Sequence, residues 1–425
     1  MNINEMSHRS KTFMKVLSEA EEDLRSLIGI PSTYAVLFLA GGASTQFSAI
    51  PLNLFNYDHS STSASAESKP TAHYIVTGAW SEKAAEEAEK YVNVLVTSST
   101  KSCNFTKLPT TDDLAPGAAA AIAEESVAPV YTYVCTNETV HGVEFSLPPP
   151  AGASIGDSNQ STPQSEPQSA SKPWWESLVH PQSLLVADMS SHFCAAPFDI
   201  SRFAVVYAGV QKNLGPAGLA VVIVRRDLIC GAPVQAGQQK QTGGSFALES
   251  TPAMLRWDLA LANGSLYNTP PMFPIYITGL VAKWLRGSVG GLAEVARVNQ
   301  KKAAVMYSAI DGSEGFYSCA VAADARSAMN VVFRIRGGDK VCFYCFIQKI
   351  KKKKKKNDLT KKKTCAFLNS VETRKRVCCR SGSKGPHWTR GPQVRWRAPG
   401  FSLQRRVSGI RGCACSVHEL FSSCA

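Results

Sequence analysis

Two short apolar runs that end in polar or small residues constrain the fold of this chain most strongly. The sequence LLVAD spans residues 184–188, and FAVVYAG spans residues 203–209, with Lys212 three residues later. An apolar run closed by a polar residue is typical of a buried parallel strand whose carboxyl end faces a ligand crevice. The turn-rich residues 213–218 then return the chain into a third run, LAVVIV. We therefore predict an α/β fold in which Asp188 and Lys212 lie at one edge of the sheet.

A lysine and an aspartate held in this way are the two groups that a pyridoxal phosphate enzyme needs. The lysine amine forms a Schiff base with the cofactor aldehyde, and an acidic side chain keeps the pyridine nitrogen protonated so that the ring can accept electrons. An arbitrary pair of this kind is more often a solvated lysine and a strand-end carboxylate. The residues around the pair are therefore needed to distinguish a cofactor site from an ordinary surface lysine and strand-end carboxylate.

That surrounding sequence resembles the phosphoserine aminotransferase family. VADMSS, YAGVQKNLGPAGL and SLYNTPP carry the resemblance, together with EMSHRS, LFLAGGASTQFSAIPLNL, YIVTGAWSEKAAEEA and YVCTNETVHGVEF, and it ends near RSAMNVVFRI at residue 335. About four-fifths of the chain is covered, with the motifs in the family's order. The resemblance implies a class-V, fold-type I transferase: a mainly parallel seven-stranded large-domain sheet with helices on both faces, followed by a truncated small domain.

The resemblance also assigns roles around the cofactor ring. It makes Lys212 the Schiff-base residue and proton shuttle, and Asp188 the partner of the ring nitrogen. Trp80 in GAWS would stack on the pyridine ring, although a tryptophan at a strand end is more often a core residue. Thr139 in NETVHG and Gln211 would hydrogen-bond the ring substituents or position the lysine.

Two pairs of residues are expected to hold the cofactor phosphate. Ala43 and Ser44 follow a strand in the turn GGAST, where small residues let backbone N–H groups and a helix N-terminus approach an anion. In the resembled family this turn binds the phosphate. Asn268 and Thr269 in YNTPP belong, by the same resemblance, to a loop that crosses the dimer interface and binds the phosphate of the neighbouring subunit's cofactor.

The reaction implied by the resemblance is 3-phosphohydroxypyruvate plus L-glutamate giving O-phospho-L-serine plus 2-oxoglutarate, in L-serine biosynthesis. It implies a homodimer with shared active sites, in which His8 and Arg9 of EMSHRS reach the partner's site and hold the anionic substrate. An arginine suits this task because its planar fork pairs bidentately with carboxylate or phosphate. Two alternatives stay open: another fold-type I small-substrate aminotransferase, and a cofactor-binding remnant that lacks the family's substrate-gripping C-terminal segment.

The positive charge of the chain is concentrated in its last fifth. Residues 340–425 hold 22 of the 46 basic residues but three of the 33 acidic ones, which gives this segment a net charge of +19 and the rest of the chain −6. Eight of the 13 cysteines also lie there. Because the segment has no hydrophobic period, we interpret residues 336–425 as a basic, Cys-rich, disordered tail, translated from non-coding or frame-shifted sequence.

Two other interpretations of the tail have less support. Cys342 and Cys345 have the spacing of a zinc-binding pair, but no second pair and no His-x-x-x-His motif accompanies them. The lysine run 351–356 can attract nucleic acid electrostatically, but recognition motifs and interleaved aromatic residues are missing. We therefore predict no metal and no nucleic-acid partner.

The remaining expectations concern organisation and location. Residues 1–335 are predicted to form the aminotransferase large domain and the start of the small domain. Low-complexity segments at 56–71, 148–173 and 231–250 would be surface insertions. No stretch approaches the ~18 apolar residues of a membrane span, and the N-terminus has no apolar signal core. The sequence thus favours a cytoplasmic protein with no membrane partner.

Overall fold

The computed structural model describes residues 2–57, 69–123, 126–150, 177–230 and 246–337. Contacts divide the chain into two units, Met1–Phe346 and Ile347–Ala425. The second unit, and with it nearly all of the predicted tail, lies outside the described residues, as do the central parts of the three predicted insertions.

Within the described residues, seven strands form the main sheet, and four short strands form two antiparallel pairs. The main strands are Tyr34–Ala40 (β1), Thr71–Val76 (β2), Asn93–Ser99 (β3), Tyr131–Cys135 (β4), Leu184–Asp188 (β7), Val205–Gly209 (β8) and Leu219–Arg225 (β9). The short strands are Asn137–Glu138 (β5), Val143–Glu144 (β6), Tyr317–Ser318 (β10) and Arg334–Ile335 (β11).

Eight α-helices connect and cover these strands within the described residues. They are Lys11–Ile28 (α1), Ser44–Asn53 (α2), Ala79–Ala88 (α3), Ala118–Ala121 (α4), Asp227–Cys230 (α5), Trp257–Ala262 (α6), Met272–Gly287 (α7) and Leu292–Asp311 (α8). Helix α1 shows how the local sequence sets the bounds. The Ser10 hydroxyl accepts a hydrogen bond from the Phe13 N–H, and Gly29 ends the helix in the left-handed conformation at φ 80°.

The strand order of the main sheet is β1-β9-β8-β7-β4-β2-β3. Strand β9 runs antiparallel to both β1 and β8, whereas β8, β7, β4, β2 and β3 pair in parallel. Six strands therefore point the same way and one is reversed, which confirms the predicted mainly parallel seven-stranded sheet. The carboxyl ends of the six strands meet at one edge, where an open α/β sheet offers its ligand crevice.

Both faces of the sheet are buried. Along β9, Leu219, Val221 and Ile223 point into one apolar core, and Val222 and Val224 point into the other. Helices α1 and α7 contribute to the first core, and α2, α3 and α6 contribute to the second. Burial on both sides explains why the strands read as continuous apolar runs rather than alternating ones.

The structure narrows the boundaries of two predicted insertions. Asn56 is part of the packed fold, since its backbone N–H donates to the Phe246 carbonyl at 2.9 Å and its side chain donates to Ala247. Thr71 is the first residue of β2. Residues 58–68, 151–176 and 231–245 lie outside the described residues.

Candidate active site

A pocket of about 280 Å³ opens at the carboxyl edge of the main sheet. Its walls come from the segments that follow β1, β2, β4, β7 and β8, and from the residues that precede the reversed strand β9. We call it the Lys212 pocket. Its lining includes seven of the predicted site residues: Ala43, Ser44, Trp80, Thr139, Asp188, Gln211 and Lys212.

Lys212 lies in a tight turn just past β8. The turn is closed by hydrogen bonds from the Leu214 and Gly215 N–H groups to the Val210 carbonyl, at 3.0 and 2.9 Å. The Lys212 Nζ donates to the Thr139 hydroxyl at 2.6 Å and lies 5.8 Å from the centroid of the Trp80 ring. The amine is therefore held inside the pocket by two elements that are distant in sequence.

Asp188 is the last residue of β7 and is 4% exposed. Its Oδ1 accepts a hydrogen bond from the Ser190 N–H at 2.8 Å, and its Oδ2 accepts one from the Tyr207 hydroxyl at 2.9 Å. Both donors are neutral, and no side chain of the described residues forms an ion pair with Asp188. A buried carboxylate is costly unless it is paired, so the pocket suits a ligand that brings a cationic group to Asp188.

Trp80 is fixed by a buried carboxylate that sequence reasoning missed. Glu138, which is fully buried, accepts hydrogen bonds from the backbone N–H groups of Trp80 and Ser81 at 3.0 and 2.8 Å, and from the Ser81 hydroxyl at 2.6 Å. Burial raises the pKa of Glu138 above its ordinary value. Gly78 permits this contact, because a Cβ there would lie 2.4 Å from the Glu138 carboxyl carbon. In the sequence, the one sign that Glu138 belongs to the site was its position next to Thr139 in NETVHG.

The turn between β1 and α2 has the properties of an anion site. Gly41 and Gly42 adopt φ values of 106° and 72°, which favour glycine. Helix α2 begins after Ala43 with no side-chain cap, and Ala43 and Ser44 at its N-terminus line the pocket. These features fit the phosphate of a cofactor whose cationic ring nitrogen reaches Asp188.

Gly209 brings this turn close to the lysine segment. A Cβ at Gly209 would lie 2.6 Å from the Gln211 Oε1 and 3.2 Å from the Ala43 backbone nitrogen. Glycine at the end of β8 therefore leaves room for the Gln211 side chain and for the Ala43 backbone beside it.

The four other predicted site residues do not line the Lys212 pocket. The Thr269 hydroxyl lies 3.4 Å from the His8 Nδ1, and the Arg9 Nε donates to the His8 Nε2 at 3.3 Å. Asn268, beside Thr269, lines a separate recess of about 20 Å³. We call His8, Arg9, Asn268 and Thr269 the His8–Thr269 surface. The structure thus groups the predicted residues into one pocket and one largely exposed surface.

Comparison with known proteins identifies the class to which this sheet and pocket belong. The aminotransferase class-V family matches residues 1–148 and 176–351. Phosphoserine aminotransferase 2, chloroplastic, of Arabidopsis thaliana is 43% identical over 335 residues, which are 79% of this chain and 64% of that protein. The phosphoserine aminotransferase of Nitrosomonas europaea is 41% identical over 337 residues, which are 79% of this chain and 75% of that protein.

A solved structure agrees with these relatives. The phosphoserine aminotransferase of Trichomonas vaginalis, solved with pyridoxal phosphate bound, is 28% identical with a TM-score of 0.61, and the match covers 82% of this chain and 79% of that one. The chain therefore belongs to the class-V aminotransferases and, within them, to the phosphoserine aminotransferase family. It spans slightly less than two thirds of the Arabidopsis relative's length.

A helix that crosses a membrane must be both long enough and apolar enough to span the bilayer. None of the helices of the described residues meets both requirements.

Proposed function

We propose that the Lys212 pocket binds pyridoxal phosphate and that the chain is a phosphoserine transaminase. It would convert 3-phosphohydroxypyruvate and L-glutamate into O-phospho-L-serine and 2-oxoglutarate, a step of L-serine biosynthesis. The observation that carries the proposal is that one pocket at the carboxyl edge of the sheet contains both a lysine amine and a buried carboxylate that forms no ion pair with any described residue. The named function of the Arabidopsis and Nitrosomonas relatives supports the choice of substrates.

When bound, pyridoxal phosphate supplies an aldehyde that condenses with amines and a ring that accepts electrons. Lys212 would bind the cofactor covalently and then move a proton at the substrate Cα. Asp188 would hold the proton on the ring nitrogen. Trp80 would cover one face of the ring, and Thr139, which contacts the Lys212 Nζ at 2.6 Å, would hydrogen-bond the ring hydroxyl.

The opposite end of the pocket would bind the phosphate. The N–H groups that follow Ala43 lie at the start of α2, where backbone donors and the helix dipole favour an anion. Ser44 adds a hydroxyl donor, and Gln211 closes the side toward the lysine. Ala43 and Ser44 at one end of the pocket and Asp188 at the other would hold the cofactor phosphate and the ring nitrogen, and this would orient the cofactor toward Lys212.

A spectrum of the purified chain tests this proposal. We expect an absorbance band of covalently bound pyridoxal phosphate that changes when L-glutamate is added and is restored by 3-phosphohydroxypyruvate. A band that responds to another amino donor but not to glutamate would indicate a different aminotransferase. Covalent binding without any response to amino donors would indicate a chain that binds the cofactor but does not turn over.

We also propose that the chain is a homodimer with shared active sites. If the His8–Thr269 surface acts in catalysis, it must complete a pocket other than the one in its own chain, because none of its residues lines the Lys212 pocket. A second copy supplies both parts: His8 and Arg9 for the anionic substrate, and Asn268 and Thr269 for the partner's cofactor phosphate.

An exposed apolar stripe on α7 lies directly after this surface. Phe273, Tyr276, Leu280 and Trp284 are 41%, 36%, 46% and 55% exposed, and their spacing places them along one side of the helix. We call these four residues the α7 face. Large exposed apolar side chains grouped in this way are typical of an interface with another protein. The contact favoured here is a second copy, because the stripe continues from the His8–Thr269 surface.

Mixing two inactive variants tests the sharing of active sites. Lys212→Ala removes the lysine from the pocket, and Arg9→Ala removes a substrate contact from the surface. A hybrid dimer of the two carries both changes in one site and an intact second site. Random exchange of subunits should therefore restore about a quarter of the wild-type activity per dimer. No recovery, with hybrid dimers demonstrated by native mass spectrometry, would contradict shared sites.

The domain boundaries remain a proposal. We assign residues 1–335 to the aminotransferase fold and residues 336–425 to a segment outside it; the match to the Arabidopsis relative over 335 residues supports this, although the family match extends to residue 351. Deletion of residues 347–425 should then leave cofactor affinity unchanged, and a loss of affinity would contradict the assignment.

We also propose that the protein is located in the cytoplasm. Cell fractionation tests this location against a location in an organelle, which is the alternative to consider because the Arabidopsis relative is chloroplastic.

A further inference from the structure

The second oxygen of Asp188 is held from within the sheet by two tyrosines. The Tyr207 hydroxyl lies 2.9 Å from the Asp188 Oδ2, and the Tyr133 hydroxyl lies 2.9 Å from the Tyr207 hydroxyl. All three side chains are buried, with Tyr207 and Tyr133 each 1% exposed. Asp188 and Tyr207 are paired in the register of β7 and β8, and Tyr133 lies on β4, on the other side of β7.

The Asp188 carboxylate at the end of this hydrogen-bond chain determines which hydroxyl donates to which. An ionised carboxylate only accepts hydrogen bonds, so Tyr207 donates to Asp188 and is left to accept from Tyr133. Burial, followed by the charge of Asp188, raises the pKa values of both tyrosines well above the ordinary value. Both phenols therefore keep their protons at neutral pH and can act as donors.

The other ionisable groups around Asp188 do not replace this donor. Cys135 on β4, Glu138 on β5 and His192 after β7 lie close enough to interact electrostatically with the Asp188 charge, and Lys212 lines the same pocket. None of them forms a hydrogen bond with the Asp188 carboxylate within the described residues. Within the part of the chain that the structure describes, the carboxylate accepts hydrogen bonds from the Tyr207 hydroxyl and the Ser190 backbone N–H.

We infer that Tyr207 is a positioning residue that, with Tyr133 behind it, orients the Asp188 carboxylate and keeps its charge directed at the ring nitrogen of the cofactor. The inference rests on the proposed binding of pyridoxal phosphate. A hydrogen bond donated to a carboxylate stabilises its ionised form. The proton shared between the ring nitrogen and Asp188 then stays on the ring. Without the donor, the carboxylate either turns away or draws that proton toward itself, and both changes leave the ring nitrogen less protonated.

The chain contains a matched control for this inference. Tyr74 and Tyr131 form a second buried pair, with their hydroxyls 2.8 Å apart, in the same apolar core as Tyr133 and Tyr207. This pair does not contact Asp188 by any hydrogen bond. Tyr131→Phe leaves one buried tyrosine hydroxyl without its partner, as Tyr207→Phe does. A general loss of core stability should therefore appear in both variants, whereas an effect on the cofactor should appear in one.

The test uses pyridoxal phosphate labelled with ¹⁵N in the ring and bound to the full-length chain. The nitrogen chemical shift reports ring protonation, and Asp188→Asn supplies the reference for a ring that has lost its partner. We expect Tyr207→Phe to move the shift toward the Asp188→Asn position, Tyr133→Phe to move it less, and Tyr131→Phe to leave it unchanged. Cofactor affinity should fall about tenfold in Tyr207→Phe, the loss expected for one hydrogen bond to a charged group.

The outcomes separate the inference from the proposed function. If the wild-type chain does not bind the labelled cofactor at Lys212, the proposed function fails. If it binds with a protonated ring and Tyr207→Phe gives the wild-type shift, the inference about Tyr207 is overturned. Equal shifts in Tyr207→Phe and Tyr131→Phe would also overturn it, because they would trace the change to core packing. Thermal unfolding of both variants verifies that each is folded.

Discussion

The Lys212 pocket and the His8–Thr269 surface are built in opposite ways. In the pocket, the candidate residues lie at or after the ends of buried strands, and hydrogen bonds between separate elements hold Asp188, Lys212 and the start of α3. Asp188 accepts a hydrogen bond from Tyr207 on the neighbouring strand. Glu138 accepts hydrogen bonds from Trp80 and Ser81, which precede it in the sequence by 58 and 57 residues. On the surface, His8 is held by a 3.4 Å contact with Thr269, and Arg9 is exposed.

This difference indicates which part of the site one chain can complete. Within one chain, the pocket brings together a lysine amine, a buried carboxylate and the start of α2, so we expect it to supply most of the contacts to the cofactor. The His8–Thr269 surface lies apart from the pocket of its own chain, and in the proposed dimer its residues would act on the partner's pocket. Changes in the pocket should therefore affect cofactor binding most, whereas changes at His8 and Arg9 should affect the substrate most.

Lys212→Ala should have the largest effect, because it removes the amine that binds the cofactor covalently. We expect no covalent attachment after borohydride reduction and peptide mapping, with the fold and the association of subunits retained. Lys83 is the matched control: its Nζ lies 5.0 Å from the Trp80 ring, closer than that of Lys212, yet it does not line the pocket. Lys83→Ala should keep full labelling, and labelling at Lys83 in the wild-type chain would contradict the assignment.

Asp188→Asn should affect chemistry more than cofactor binding. The neutral amide cannot hold the ring-nitrogen proton, so the rate of the glutamate half-reaction should fall about a hundredfold or more, equivalent to ~3 kcal/mol in the barrier. Single-turnover absorbance measurements give this rate directly. An unchanged rate in Asp188→Asn would remove the electrostatic role of Asp188 and would leave Lys212 as the one functional residue of the pair.

Changing the α7 face should weaken association while sparing the pocket. Leu280→Lys or Trp284→Lys places a charge in the proposed interface, and loss of a central apolar contact commonly costs about 2 kcal/mol, or roughly 30-fold in dimer affinity. Sedimentation velocity over a concentration series measures the change. Val305, which is 70% exposed on α8, provides the control: Val305→Lys should leave association unchanged. Equal effects of all three changes would argue against the α7 face as the interface.

The sequence was informative where a side chain follows a strand directly. Asp188 and Lys212 could be placed at one sheet edge from two apolar runs and a turn, and the motifs around them indicated the cofactor. The residues that support them were not visible. Tyr207 reads as one more apolar residue of FAVVYAG, and its link to Asp188 depends on the register between β7 and β8. Glu138 reads as an ordinary loop acid, and its burial depends on the packing of the β5–β6 pair against α3.

The separation of the predicted residues into two groups was also beyond the sequence pattern. The motifs that contain His8 and Thr269 indicate that these residues belong to a site, but not that they lie together and away from Lys212. That fact depends on α1 packing against α7, which brings the segment before α1 next to the loop before α7. Long-range packing of this kind leaves no local period in the sequence.

Glu138→Gln should give the smallest effect and sharpen the comparison most, because it changes the support of the pocket without changing a group that touches the ligand. In either orientation, the new amide NH₂ faces the Trp80 N–H or the Ser81 N–H, so one buried donor loses its acceptor at a cost of about 1–3 kcal/mol. Trp80 should then be held less firmly, and cofactor affinity should fall several-fold while the fold and the dimer remain.

Equilibrium titration with pyridoxal phosphate and thermal unfolding measure the two consequences. The control is Glu82→Gln, which alters an acid in the first turn of α3 that pairs at the surface with Lys101. A surface ion pair contributes little, so this change should move stability by less than about 1 kcal/mol and leave affinity intact. If Glu138→Gln lowers the unfolding temperature but leaves cofactor affinity at the wild-type value, Glu138 stabilises α3 without positioning Trp80. Cofactor affinity would then depend on the residues at the strand ends and not on the support that Glu138 gives to α3.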